Sequence, residues 1–470
     1  MTPSRRALLA FSISIAATVA VGECWAQQPK PGATSNAAQR HLSDRELRRL
    51  LAKHVKGLAI DAKRIRIPIA RPPSLAFSDP GPQHCKLHLP THGNIADVVP
   101  HHLDVNAFGA ALHDALKDNV VGYSAGLRRH GQTILTQNWQ WAKMRDDGDA
   151  VWTPDVPLHV ASVSKLITAM AMTELMIQKN ISPDAQIIDY LPDYWVKGPN
   201  IQFITFRNLF NHTSGLTTPQ EDLTFLDMKS AIAAGISLSL DPNVQLRLGK
   251  YNYRNVNFAL CRVLLTVMNG NVSKHADFGF DNDLVWDNLA VAGYVQYVQN
   301  KVLRQAGVFG ATLDHPDAAG LAYKFPVDSA GGGWNSGSLQ RGAGADGWHI
   351  SVNQVLDVMG ECHRGRSIVS PESAQQMLDD GFGVDPPNPS VSMSSLLTPA
   401  GIVYAKPGSW YDTPDDNHHE EQSLALFLPE DMELVVLANS PVGNPPAQNF
   451  LCTVINVYLD HLTTQLVNHP

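Results

Sequence analysis

In the stretch Ala161-Ser162-Val163-Ser164-Lys165, a hydroxyl and an amine stand three residues apart and share a face of any helix that starts there. A serine hydroxyl attacks a carbonyl only when a neighbouring group takes its proton, and a lysine can take it only when neutral. Burial and a second cation both push a lysine toward neutrality, so Ser162 and Lys165 need a desolvated pocket that holds another positive charge. A helix beginning at or near Ser162 would add free backbone N–H groups where negative charge develops. By itself the spacing is weak evidence, because composition alone yields about one such match in a chain this long. The bland alternative is an ordinary helix start with an exposed lysine.

Two later motifs change the balance. Tyr253-Arg254-Asn255 stands directly before a helical pattern, and Lys406-Pro407-Gly408-Ser409 stands at the end of a strand-like run. Either one alone reads more simply as structure. In this order, S-x-x-K, Y-x-N and K-x-G resemble the ordered trio of the penicillin-recognising serine hydrolases, and the chain is similar to the β-lactamase-related family, which includes penicillin-binding-protein-like and class C β-lactamase-like members. The likeness extends to the segment 204–216 ending in HTSGL, the Gly-rich stretch 342–351 and the late hairpin 427–440, and spans roughly 103–466.

The resemblance implies an α+β fold of the β-lactamase/transpeptidase type, an antiparallel sheet flanked by helices plus a helical lobe, enclosing a cleft. It implies that Ser162 forms an acyl-enzyme and that Lys165 with Tyr253 moves the proton, without choosing the immediate base. It further implies that Asn255 orients Lys165 and the acyl group, that Lys406 supplies the second cation, and that the Gly408-Ser409 edge borders the substrate. The backbone N–H groups of Ser162 and Ser409 would then hold the oxyanion. No cofactor and no metal are expected. Two departures bear on substrate: Pro407 removes a hydroxyl and a backbone donor that could bind a substrate carboxylate, and Arg254 places a charge where a small residue is frequent. A β-lactam, an ester, an amide or a peptide therefore all stay open, as does a non-catalytic binding protein that retains the fold.

Around these motifs, Ser43 and Glu46 form a capping box for a short helix carrying Leu47, Leu50, Leu51 and Val55 at helical spacing. Residues 104–117, 162–178, 256–268 and about 447–466 read as helices; 120–128 with 133–136, and 424–428 with 434–437, read as hairpins. A sheet layered against helices plus a helical lobe follows. The stretches 269–287 and 379–400 are irregular and are candidate rims or lids.

At 470 residues the chain exceeds what one compact core usually holds. Residues 1–26 read as a secretory signal, with Arg5 and Arg6 before an apolar run from Leu8 to Val21 and Ala26 at the cleavage point. Sec and twin-arginine routes are both open. Residues 27–102, rich in proline, form an extension and linker before the hydrolase domain at 103–466. An exported, periplasmic or secreted protein without a stable membrane span is thus expected. Export permits disulfides among Cys85, Cys261, Cys362 and Cys452, of which Cys261 sits in an apolar run and reads as a buried thiol.

A formal net charge of −8 and no Lys/Arg stripe argue against a nucleic-acid partner, leaving a small-molecule or peptide substrate. His84, Cys85, His88, His92, His101 and His102, and separately His418, His419, Glu420 and Glu421, have metal-type side chains. Prolines break the first cluster, and adjacent histidines point apart in the second, so solvated loops are the default. His212 is the other possible base for a serine, but no G-x-S-x-G elbow accompanies it and a structural role is expected.

Overall fold

The strands alternate in what they bury, and this alternation builds the molecule. In the computed structural model, which describes residues 41–71, 77–78, 87–88, 101–218, 223–241, 243–327, 332–385, 396–413, 415, 417–443 and 450–464, ten strands organise the site. They are β1 (Phe77–Ser78), β2 (Gly122–Arg129), β3 (Gln132–Lys143), β4 (Ala150–Val151), β5 (Leu158–His159), β6 (His349–Ile350), β7 (Leu396–Thr398), β8 (Gly401–Tyr411), β9 (Glu420–Leu428) and β10 (Met432–Ala438). Eight of them form one antiparallel sheet in the order β1-β8-β9-β10-β2-β3-β4, with β7 also paired to β8. β5 and β6 form a separate short ladder, His159 opposite His349.

Among the longer helices, α1 is Asp44–His54, α2 Val105–Leu116, α3 Ser164–Lys179, α4 Val256–Met268, α5 Asn282–Val298, α6 Val352–Arg364 and α7 Phe450–Asp460. On β9, Leu424, Leu426 and Leu428 join the core that α2 and α7 cover, while Ala425 and Phe427 join the core of the helical lobe. That period of two is why β9 and β10 read as unbroken apolar runs: both faces of the sheet are covered. Each fully buried leucine contributes about 1.5–3 kcal/mol.

The capping box at Ser43 and Glu46 forms as the sequence indicates, and Leu47 and Leu51 enter the lobe core together with Ile65 and Ile69. The described part of the extension thus packs on the lobe: Val55 bridges Val272, and Arg341 donates to the Ile69 carbonyl. The stretch 269–287 departs from the irregular reading. It meets this extension at Val272 and turns into α5 at Asn282, whose apolar face was masked by the polar residues Asn282, Asp283 and Asp287. Residues 386–395 of the other irregular stretch, and the signal at 1–26, lie outside the described residues. Cys452 is disulfide-bonded, whereas Cys261 and Cys362 are buried free thiols. No helix among the described residues is long and apolar enough to cross a membrane.

Candidate active site

Ser162 lies in a 3-10 turn, Ala161–Val163, that leads straight into α3. The helix was expected to start at Ser162; its regular part starts two residues later, at Ser164. Ala161 is held at φ +43°, a left-handed conformation that an L-residue adopts at a cost of about 1–2 kcal/mol, and this bend turns Ser162 out of the chain path. Lys165 follows one turn later, buried like Ser162. Its Nζ donates to Ser162 Oγ at 2.8 Å and to the Ala345 carbonyl at 2.8 Å. Ala345 belongs to the Gly-rich stretch. Gly344 beside it has φ +95°, and a Cβ there would lie 2.5 Å from the Phe258 carbonyl, so only glycine brings this loop so close to α4.

Tyr253 reaches Ser162 from the other side, with Oη 2.7 Å from Oγ. Asn255, also buried, occupies the N-cap position of α4, two residues after Tyr253. The His212 ring packs on the Tyr253 ring at 4.3 Å between centroids. Its Nδ1 accepts from the Arg254 N–H at 3.3 Å. Burial first, and then the charges of Lys406 and Lys165, hold the His212 imidazole well below its usual range, so it stays neutral. His212 therefore supports the tyrosine instead of acting on the serine, as its sequence context suggested.

Lys406 lies inside β8, where the sequence pattern placed it at a strand end. Its Nζ and that of Lys165 each sit 5.1 Å from the Tyr253 ring centroid, so two lysine nitrogens lie near the phenol whose Oη contacts the Ser162 hydroxyl. Lys406 also forms a buried ion pair with Asp385, 2.7 Å to Oδ2. Asp385 escaped the sequence reading: it stands in an unremarked Gly-Val-Asp-Pro turn, and only the fold brings it to β8, where its N–H donates to the Ala405 carbonyl.

That bond shows that position 405 turns its backbone polar groups to the edge of β8 away from β9. By the period of two, positions 407 and 409 do the same. Pro407 is thus tolerated because its missing N–H falls on the edge and costs the sheet no ladder bond. The Ser409 N–H points to the same edge, while its hydroxyl is held by Glu420. Gly408 explains the glycine of K-x-G: a Cβ there would lie 2.8 Å from the Ser162 nitrogen and 2.7 Å from the Val160 carbonyl. β8 consequently presses against the turn that carries Ser162. All seven residues singled out from sequence, Ser162, Lys165, Tyr253, Asn255, Lys406, Gly408 and Ser409, thus belong to α3, α4 and β8 and the turns that join them.

The polar groups offered as loop alternatives behave differently. His88 bonds to Asp460, His418 to Glu420 and His419 to Asp412, so each already has an acidic partner, and His84 and Cys85 lie outside the described residues.

A serine in a tight turn, a lysine one turn on, a tyrosine before α4 and the K-x-G motif of β8 beside them define a class, and the chain belongs to the beta-lactamase family, whose family model matches residues 105–448. Among solved structures it is similar to EstCE1, a hydrolase with promiscuous acyltransferase activity, at 14% identity and TM-score 0.51, covering 75% of this chain and 99% of that one. It is also similar to the D-amino acid amidase of Ochrobactrum anthropi SV3, at 16% identity and TM-score 0.51, covering 76% and 96%. A third is the class C beta-lactamase of Rhodobacter sphaeroides, at 17% identity and TM-score 0.50, covering 75% and 98%. At such identities these likenesses establish the fold. No curated protein matches the sequence.

Proposed function

We propose that the protein is an exported serine hydrolase that forms an acyl-enzyme at Ser162 and acts on ester or amide substrates that carry no carboxylate beside the scissile bond. The observation that carries this reading is the two-sided contact of the Ser162 hydroxyl, 2.8 Å from Lys165 Nζ and 2.7 Å from Tyr253 Oη. Ser162 Oγ attacks the carbonyl carbon, and its proton passes to the Lys165–Tyr253 pair. The backbone N–H groups of Ser162 and Ser409 hold the resulting oxyanion; one such donor is typically worth about 3–4 kcal/mol of barrier. As the tetrahedral species collapses, the pair returns the proton to the departing alcohol or amine. Water then attacks the acyl-enzyme, the same pair takes a proton from it, and the free acid leaves with Ser162 restored.

The substrate class follows from charge. Asp385 neutralises Lys406, and Pro407 offers neither hydroxyl nor N–H, so the β8 edge presents little to attract a carboxylate. A binding protein with the same fold would have no use for a nucleophile bonded on both sides by proton-transfer groups. The disulfide at Cys452 supports an oxidising, exported setting. Short p-nitrophenyl esters compared with a chromogenic cephalosporin test the substrate reading. Repeated turnover of the ester with little or no cephalosporin cleavage is expected; the reverse preference overturns the reading, and no turnover of either favours the binding protein.

A further inference from the structure

Behind the nucleophile turn lies a second cluster that the mechanism does not use. Glu421 on β9 and His349 on β6 are fully buried, and His315, half-buried on the loop before Pro316, joins them. One ligand atom from each of the three lies within 4.8 Å of the other two. The His315 and His349 rings meet edge to face at 5.2 Å. In each residue one polar atom is buried without a hydrogen-bond partner among the described residues: Nδ1 of His315, Nδ1 of His349 and Oε1 of Glu421. Native interiors seldom leave such atoms unmet, and three in one cluster call for a shared partner.

The surroundings are those of a ligand set. The Gly347 N–H donates to His159 Nε2 at 3.1 Å, so His159 carries its proton on Nδ1 and donates it to Glu421 Oε2 at 3.1 Å. One carboxylate oxygen, Oε2, is thereby held in place. Ser336 Oγ sits 3.4 Å from His349 Nε2, and its side chain also hydrogen-bonds Glu421. Outer partners on Glu421 and His349 match the usual construction around a bound metal.

We propose that His315, His349 and Glu421 bind one divalent transition cation of the zinc class, with His159 and Ser336 orienting the ligands. Two neutral imidazoles and one carboxylate suit zinc and its neighbours better than magnesium or calcium. Tetrahedral donors around zinc stand about 3.5 Å apart, so the three side chains need to close by only about an ångström. The partial exposure of His315 gives the ion a way in. A second group of metal-type side chains among the described residues, His363, Asp431 and Glu433, is already matched by Arg364, 2.7 Å from Asp431. The ion would brace the catalytic turn: His159 is three residues before Ser162, and Ser423, two residues after Glu421, donates to the Val160 carbonyl at 2.6 Å.

The test is zinc titration of the chelator-treated full chain against a chromophoric competitor, with cobalt as a spectroscopic substitute. Tight binding of one equivalent is expected, weakened at least about tenfold in His159→Gln and more in His349→Ala and Glu421→Gln. Cobalt should give visible bands that are lost in His315→Ala, which changes a half-buried loop residue and decides the matter if the buried variants fail to fold. No zinc bound, or zinc bound with equal affinity by wild type and His315→Ala, overturns the proposal.

Discussion

The ammonium group of Lys406 lies 2.7 Å from Asp385 Oδ2, with both side chains buried. A pair of buried charges is cheap to keep only while both are present, because removing one strands the other in a poor solvent for ions. Asp385→Ala should therefore lower stability by about 3–5 kcal/mol, while Asp385→Leu combined with Lys406→Met should recover most of that loss. Urea unfolding of the two variants measures it; equal losses in both would show that the pairing itself is not what matters.

In the proposed mechanism, proton transfer at Ser162 is shared between Lys165 and Tyr253, the two groups within hydrogen-bond reach of the hydroxyl. Tyr253→Phe and Lys165→Ala should each slow acylation by about 10²–10⁴-fold, the usual range for a positioned acid–base group. Single-turnover kinetics with an activated ester resolves the step. Whichever variant loses more identifies the immediate base, and near-normal acylation in both would contradict the shared role.

Gly408→Ala tests how tightly β8 presses on the nucleophile turn. The added methyl would meet Ser423 Oγ at 2.5 Å as well as the Ser162 and Val160 backbone, and overpacking of this kind costs about 1–3 kcal/mol. Since Ser162 and Ser409 supply the proposed oxyanion donors, acylation should fall further than stability does. Thermal unfolding alongside burst kinetics separates the two effects.

The neutral His212 gives a pH signature. In the unfolded chain this imidazole takes up a proton below about pH 6.5, whereas in the folded protein burial and the two lysines keep it neutral. The unfolded state then binds more protons, so this residue makes stability fall as the pH drops below about 6.5, by up to about 1.4 kcal/mol per unit. His212→Gln should flatten the stability–pH curve by that slope between about pH 6.5 and 5. An unchanged slope would mean that His212 is protonated in the folded protein.

Much of this architecture was legible in the sequence, because the signals were local. The Ser43–Glu46 box and the helix at 256–268 rest on contacts among neighbours and formed where the pattern put them; the hairpin around His130-Gly131 also formed, but its second strand runs on to Lys143, seven residues past the expected end. Motif order sufficed to gather Ser162, Tyr253 and Lys406. What escaped were relationships made only by the fold. Asp385 and Lys406 are distant in sequence and meet on the edge of β8, and His315, His349 and Glu421 come from a loop and two separate strands. No spacing rule finds partners brought together by a sheet.

The central claim, that Ser162 is a nucleophile activated from both sides, is tested most directly by labelling with a fluorophosphonate and mapping the modified peptide by mass spectrometry. One phosphonyl group on Ser162 is expected, absent in Ser162→Ala and greatly slowed in Lys165→Ala and Tyr253→Phe. Labelling that persists in Ser162→Ala, or a wild-type chain left unmodified, would contradict it.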